Sequence, residues 1–326
     1  VRTLQARWPD TRLTWIIGKT EHTLVGDLPG IDFIIFDKSR GWRAYLDVRR
    51  QLRGRRFDVL LHMQMALRAS LISLLVDAPV KLGFDRARAK DAQWLFTNTQ
   101  IAPRQREHVL DSLFGFSDAL GATERLLRWD IPIPEAARRY AEDVLPGDQP
   151  TLIISPCSSQ DYRNWTAEGY AAVADYAVEK HGMRVLLTGG KRAVERRYGD
   201  DITRLMHHPV IDCIGRSDLK QLLALLQRGT VLLSPDAGPA HLATAVGTPV
   251  IGLYACTNPS RARPYLSTQW IVDRYADAVR QLRGAVPEQL PFGSRVRDAR
   301  AMALISAAEV QQRLDDTMAT ASKGRI

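Results

Sequence analysis

Along this chain, short apolar runs alternate with longer segments whose apolar residues recur every three or four positions. The runs "RLTWII", "FIIFD", "DVLLHM", "TLIISP", "RVLLTGG", "VIDCIG", "TVLLSPD" and "VIGLY" read as short strands. Between them, "GWRAYLDVRRQLRGR", "WTAEGYAAVADYAVEKHG" and "DLKQLLALLQRG" carry helical periodicity. Unbroken apolar strands with amphipathic helices between them predict parallel sheets covered on both faces. The Pro-rich stretches "IPIP" and "LPGDQP" bracket one short helix between Trp129 and Pro150. That joint divides the chain into two doubly wound α/β domains, over 1–148 and 149–326, with a crevice expected between them. The tail "MATASKGRI" is expected to fray.

One stretch, "LLSPDAGPAHLATAVGTPVIGLY", joins a strand, a tight turn, a helix and a second strand. Pro239 suits the first helical position, Gly247 a helix stop and Pro249 the entry to the next strand. Amides at such a helix start lack internal partners and sit at the positive end of the dipole, so an anion is welcome there.

Open parallel sheets bind ligands beyond the carboxyl ends of their strands. In the second half, those ends carry a set of polar groups. After "TLIIS" come Pro156, Cys157, Ser158 and Ser159, then Arg163 and Trp165. After "RVLL" come Thr188, Gly189 and Gly190, with Glu195 in the next helix. After "VLLS" come Asp236, Ala237 and Gly238, with His241 one turn in. Hydroxyls and free amides suit a pyrophosphate, Arg163 its charge, and a carboxylate the ribose hydroxyls. Each signal alone is ordinary. Asp236 is equally suited to capping the helix after it, Trp165 to the core, and His241 to a half-buried site.

Composition narrows the field. At 326 residues and 45% hydrophobic, the chain is long enough for two domains. Its three cysteines are far apart, which argues against a disulfide framework or zinc site and fits a reducing compartment. No apolar run reaches the length of a membrane span, and "VRTLQARWPD" is no signal peptide. With neither a P-loop nor a G-x-G-x-x-G after a strand, nothing supports an ATPase or a dinucleotide-dependent dehydrogenase. No cofactor and no metal are expected.

The net charge of +9 favours a polyanionic partner: nucleic acid, an anionic membrane or a phosphorylated substrate. Between Lys38 and Arg56 there are eight basic residues against the single acid Asp47, and Arg86, Arg88, Lys90, Arg104 and Arg106 add a second basic region. A nucleic-acid-binding protein is disfavoured. The chain has no helix-turn-helix, RNA-recognition or OB-type signature, and few aromatics interleave with the basic runs.

The segment "SPDAGPAHLATAVGTPVIGLYACTNP" resembles the most diagnostic part of glycosyltransferase family 9, the lipopolysaccharide heptosyltransferases. "SPCSSQDYRNW" is similar to that family's donor loop, and "KLGFDRARAKDAQWLFTN" with "EHVLDSLFGFSDALG" to its first domain. The resemblance spans nearly the whole chain. It implies the GT-B architecture, two Rossmann-like domains with the active site in the cleft between them. It further implies inverting, metal-independent transfer of heptose from ADP-heptose to the inner core of lipopolysaccharide, a phosphorylated lipid A-Kdo acceptor. The protein would then be cytoplasmic and peripheral on the anionic inner membrane. A family relative using another nucleotide sugar or acceptor is the alternative.

Residue by residue, the resemblance puts Ser158 and Ser159 at the donor phosphates and Arg163 where the family often has lysine. It places Asp236, Ala237, Gly238 and His241 in the donor loop, with the family's helix carboxylate nearer Ala193 than Glu195. Gln64, Arg68 and His108 fall where the family contacts the acceptor. The family's opening strand, and a loop bearing the aspartate thought to be the general base, would precede Val1. The natural protein is therefore expected to be longer at its N-terminus. If this chain supplies a substitute base, Asp37 at a strand end suits better than Asp10 in a turn.

Overall fold

The computed structural model describes residues 1–323, with side chains described as far as residue 320. Eleven strands lie among the described residues: β1 (Leu13–Gly18), β2 (Ile31–Phe36), β3 (Val59–Leu61), β4 (Val80–Gly83), β5 (Thr99–Gln100), β6 (Thr151–Ile154), β7 (Arg184–Leu187), β8 (Ile211–Asp212), β9 (Val231–Pro235), β10 (Val250–Tyr254) and β11 (Val272–Asp273). The chain forms two compact units, Val1–Pro132 and Ile133–Ile326.

In the second unit, six parallel strands run in the order β11-β10-β9-β6-β7-β8. Successive strands step outward from β6 in one direction and then, from β9, in the other, so the switch point lies between β6 and β9. Alternate residues of each strand point to opposite faces, and both faces are covered. Leu152, Ile154, Val185, Leu187, Val231 and Leu233 pack with Tyr170, Val173 and Ala174 on one side. Ile153, Leu186 and Leu232 pack with Leu225, Ala137 and Ala141 on the other. A strand buried on both faces has no polar alternation, which is why these segments read as unbroken apolar runs.

Trp165 belongs to this core. It is fully buried, its Nε1–H donates to the Ile305 carbonyl at 3.0 Å, and its ring meets Tyr170 edge to face. Gly182 ends helix Ala167–His181 in the left-handed conformation at φ 61°, where a side chain would be strained. The C-terminal helix Ala307–Lys323 lies on that helix: Asp315 accepts from Lys180 at 2.8 Å and pairs with His181 at 2.7 Å. It runs through most of the tail expected to fray; residues 324–326 lie outside the described residues.

Helix Glu135–Val144 packs with the second unit. Ala137 and Ala141 sit against Leu225, and Arg228 donates to the Leu145 and Gly147 carbonyls. The expected division after residue 148 thus falls beyond this helix, and the compact units part before it.

The first unit holds two separate parallel sheets, β1-β2 and β3-β4-β5. Ile34, Phe36, Ala44, Val48, Leu52 and Val76 form one core, and Leu82, Phe84, Ile101 and Phe116 another. Among the described residues, no helix is long and apolar enough to cross a membrane.

Candidate active site

The loops after β6 and β9 leave the sheet on either side of the switch point, where doubly wound sheets hold their ligands. They are joined by Arg163, which ends the 3-10 turn Asp161–Arg163. Its Nη1 donates to the Asp236 carboxylate at 3.2 Å and to the Asp236 carbonyl at 3.3 Å. Both side chains are largely buried, at 10% and 13% exposure. Asp236 does not cap the helix Gly238–Ala245: that helix has no side-chain cap, and Ala237 stands extended before it. The helix starts on Gly238, so Pro239 stands second, one position later than the sequence predicts, and the first amides are without side-chain acceptors.

Three buried polar atoms around these loops have no partner: Arg163 Nε, Asn164 Nδ2 and the Thr188 hydroxyl. Thr188 follows β7 and is 1% exposed. An unmet hydrogen-bonding group in a protein interior costs about 1–3 kcal/mol, so three near one set of strand ends call for a polar ligand.

The remaining predicted donor residues divide by what their side chains already do. The Ser158 hydroxyl is held within its own loop, donating to the Gln160 carbonyl at 2.9 Å and accepting from the Gln160 amide at 3.0 Å. The Ser158 amide donates to Asn164 Oδ1 at 2.8 Å, so Ser158 shapes the loop. Ser159 is exposed. Glu195 accepts from the Gly190 amide at 2.8 Å and from the Arg192 amide at 3.2 Å, closing the turn at Gly189–Gly190. A Cβ on Gly190 would come within 2.9 Å of the Glu195 carboxylate, so glycine keeps that approach open. Both oxygens of Glu195 thus have a loop-building task.

His241 lies at the surface one turn into the helix. The protein mass around its ring still lowers its pKa, and the charge of Asp236 pulls the other way.

Sequence reasoning missed several cations here. Arg192 reaches from the loop after β7 to the Ser158 carbonyl at 2.6 Å, tying that loop to the one after β6. Arg261, in the short helix Pro259–Ala262 after β10, has its pKa lowered by burial and by Arg295, with Asp236 opposing. A cation-rich stretch behind a strand end, "NPSRARPY", is the signal that could have found it. Cys157 and Cys256 are not candidate nucleophiles, because burial pushes both thiols up to about 12.

In the first unit, Gln64, Arg68 and His108 all follow the carboxyl ends of the three-stranded sheet. Gln64 and Arg68 come after β3 and are exposed, Arg68 within helix Leu67–Ser73. His108 comes after β5 and is buried. Its Nδ1 accepts from the Leu110 amide at 3.1 Å, capping helix Val109–Ala119. The unpredicted His62 is buried after β3, 3.0 Å from the Ser70 hydroxyl, and burial lowers its pKa to about 4.

Asp37 follows β2 as expected, but one of its oxygens accepts from the Ser39 amide at 3.0 Å and the Ser39 hydroxyl at 2.6 Å. Those bonds, with Lys19 nearby, lower its pKa, which makes it a cap and a poor base. Asp10 lies in the turn closed by the Thr11 amide on the Trp8 carbonyl.

A chain of two α/β units, the second a doubly wound sheet with unmet polar groups at its switch point, has the GT-B fold of nucleotide-sugar glycosyltransferases. The similar solved structures bear this out. The glycosyl transferase family 9 protein of Veillonella parvula superposes with a TM-score of 0.81 at 20% identity, covering 98% of this chain and 92% of that one. The E. coli heptosyltransferase WaaC with ADP-2-deoxy-2-fluoro heptose gives a TM-score of 0.69 at 15% identity, covering 97% and 93%. Residues 45–283 match the family model described as glycosyltransferase family 9 (heptosyltransferase). Over 310 residues the chain is 37% identical to the lipopolysaccharide core heptosyltransferase OpsX of Haemophilus influenzae, covering 95% of this chain and 89% of that protein. The chain belongs to glycosyltransferase family 9 and is a glycosyltransferase.

Proposed function

We propose that this enzyme moves a heptose from ADP-heptose onto the inner core of lipopolysaccharide, with inversion and without a metal ion. The relative OpsX carries that class of activity in its name, and the WaaC structure holds an ADP-heptose analogue. The observation that carries the reading is the Arg163–Asp236 pair at the switch point, with Arg163 Nε buried and unmet, and the Thr188 hydroxyl likewise unmet after the neighbouring strand β7.

Inverting transfer needs an acceptor oxygen that loses its proton as it attacks the anomeric carbon, and a diphosphate that takes up charge as it leaves. Arg163, the Thr188 hydroxyl and the open amides before Ala240 suit the second task, because fixed dipoles and a fixed cation stabilise charge that grows in the transition state. Asp236 holds the Arg163 guanidinium in place. Ser158, Gly189 and Glu195 shape the donor loops, while Ser159, Ala237 and His241 border the diphosphate. A carboxylate suits the first task; with Asp37 capping its own turn, the base is best sought elsewhere.

Gln64, Arg68 and His108 are proposed for the acceptor, a phosphorylated lipid A-Kdo molecule. The protein works on the cytoplasmic face of the inner membrane, held peripherally. Calorimetry with ADP, UDP and GDP, followed by transfer from ADP-heptose to lipid A-Kdo, tests the reading. Preference for ADP and a product one heptose heavier are expected. Equal binding of ADP and UDP would remove its nucleotide.

A further inference from the structure

Helix Trp42–Leu52 buries Ala44, Val48 and Leu52 in the first unit's core. Its opposite face is unusual. Trp42, Leu46, Arg49 and Arg53 fall at i, i+4, i+7 and i+11, one stripe along the outside of the helix. Trp42 is 68% exposed and Leu46 46% exposed. Arg43 sits over the Trp42 ring.

Nearby acids do not neutralise this face. Asp47 pairs with Arg40 and Arg50, Asp32 with Arg55, and Asp77 with Arg56. Arg43, Arg49 and Arg53 have no acidic partner among the described residues. Leu71 and Leu74, on and just after helix Leu67–Ser73, are also exposed, while Ile72 and Leu75 between and beside them pack in the same core as Val48. Leu46, Leu52 and Leu75 line one groove with Arg49, Arg50 and Arg53.

We infer that this face is the docking surface for an anionic lipid bilayer, with Trp42 and Leu46 set into the headgroup layer and Arg43, Arg49 and Arg53 on the lipid phosphates. The inference names the surface for the membrane contact proposed above and rests on that reading. A helix that lies in the plane of a membrane presents this combination: an amphipathic aromatic, aliphatics, and arginines whose stems reach along apolar surface to the phosphates. Duplex or single-stranded nucleic acid would satisfy the arginines but leave Leu46, Leu71 and Leu74 in water. A second copy meeting the face about a two-fold axis would set the arginines against one another. The helix bearing Leu71 also carries Arg68, so a lipid-anchored acceptor would be met where its anchor lies.

The test is sedimentation of the full chain with vesicles of phosphatidylethanolamine and phosphatidylglycerol, or of phosphatidylcholine alone, at low and high salt. Binding to the anionic vesicles, weakened by salt, is expected. Partition should fall at least tenfold in Arg49→Gln/Arg53→Gln and in Trp42→Ser/Leu46→Ser. These side chains project from the exposed face, so melting should not change. A blue shift of tryptophan emission on binding should shrink in Trp42→Phe.

Absence of binding by the unaltered chain, or equal binding by both double variants, would overturn the inference. So would a dimer, or retention on RNA, that the same substitutions abolish without any vesicle binding. ADP calorimetry without vesicles reads the donor site separately: vesicle binding without ADP binding would support the docking surface and sink the proposed function.

Discussion

Arg163 and Asp236, 73 positions apart in sequence, meet through two hydrogen bonds that tie the loop after β6 to the loop after β9. In the proposed function, the pair holds a cation for the departing diphosphate. Because Asp236 is not a helix cap, Asp236→Ala should leave the helix Gly238–Ala245 intact. Removing one partner of a buried pair leaves the other charge unmet, so some loss of stability is expected alongside weaker ADP binding. Asp236→Asn, which keeps the shape, should melt within a few degrees of the unaltered protein yet bind ADP roughly tenfold more weakly, about 1.4 kcal/mol. Equal losses in titration and melting would reduce the pair to a structural one.

Thr188 offers a cleaner separation. Its buried hydroxyl has no partner, so Thr188→Val removes an unmet group while nearly keeping the shape. The free protein should be as stable as before or more so, while ADP binding weakens by about 1 kcal/mol, the net worth of an ordinary hydrogen bond. Unchanged affinity in calorimetry would show that the hydroxyl does not meet the nucleotide.

For Glu195 a loop brace and a ribose contact predict opposite results. As the brace of the Gly190 turn, it should cost about 1 kcal/mol of stability when changed to alanine, and ADP and adenosine should weaken together with inorganic pyrophosphate. A ribose contact would spare pyrophosphate. Competition titrations with the three ligands distinguish the two.

The residues proposed for the acceptor separate in the same manner. Arg68→Ala removes an exposed side chain and should raise the apparent KM for a phosphorylated acceptor without altering the Kd for ADP. His108→Ala removes a helix cap and should lower the melting temperature, by about 1 kcal/mol of stability. An Arg68→Ala enzyme with unchanged acceptor KM would end its assignment.

His62 gives the first unit a pH dependence. Its folded pKa, about 4, lies below the ordinary value of 6.5. The unfolded chain therefore binds the extra proton first as pH falls, so stability is present above pH 6.5 and drains away toward pH 4. The full effect is about 3 kcal/mol. Melting curves between pH 4 and 7 should show this slope, and His62→Gln should flatten it.

The sheets were legible where strands are buried on both faces: β6, β7, β9 and β10 coincide with the apolar runs. Strands β4, β5 and β11 were not, because they are not apolar runs: β4 carries Lys81 and Gly83, β5 is Thr99–Gln100, and β11 ends on Asp273. The helix Gly238–Ala245 was readable from Pro239 and Gly247, whose roles are set by local backbone chemistry. What Asp236, Glu195, His108 and Asp37 do was not. Each is a residue type that both caps and catalyses, and only the position of its partners decides. From sequence, Trp165 suits both the loop it follows and the core; its ring turns inward to Ile305 and Tyr170, which decides for the core.

The continuity of the second unit's six-stranded sheet has a consequence for how that unit opens. β6, β7, β9 and β10 each have ladder partners on both sides, whereas β8 and β11 close the sheet with one partner each. Edge amides exchange with solvent through small openings. Deuterium should therefore enter β8 and β11 well before β6 and β9. If ADP binds at the switch point as proposed, it should raise the melting temperature of this unit and slow exchange most where β6 and β9 meet. The slowest-exchanging amides of the sheet would then mark the place where the nucleotide sits.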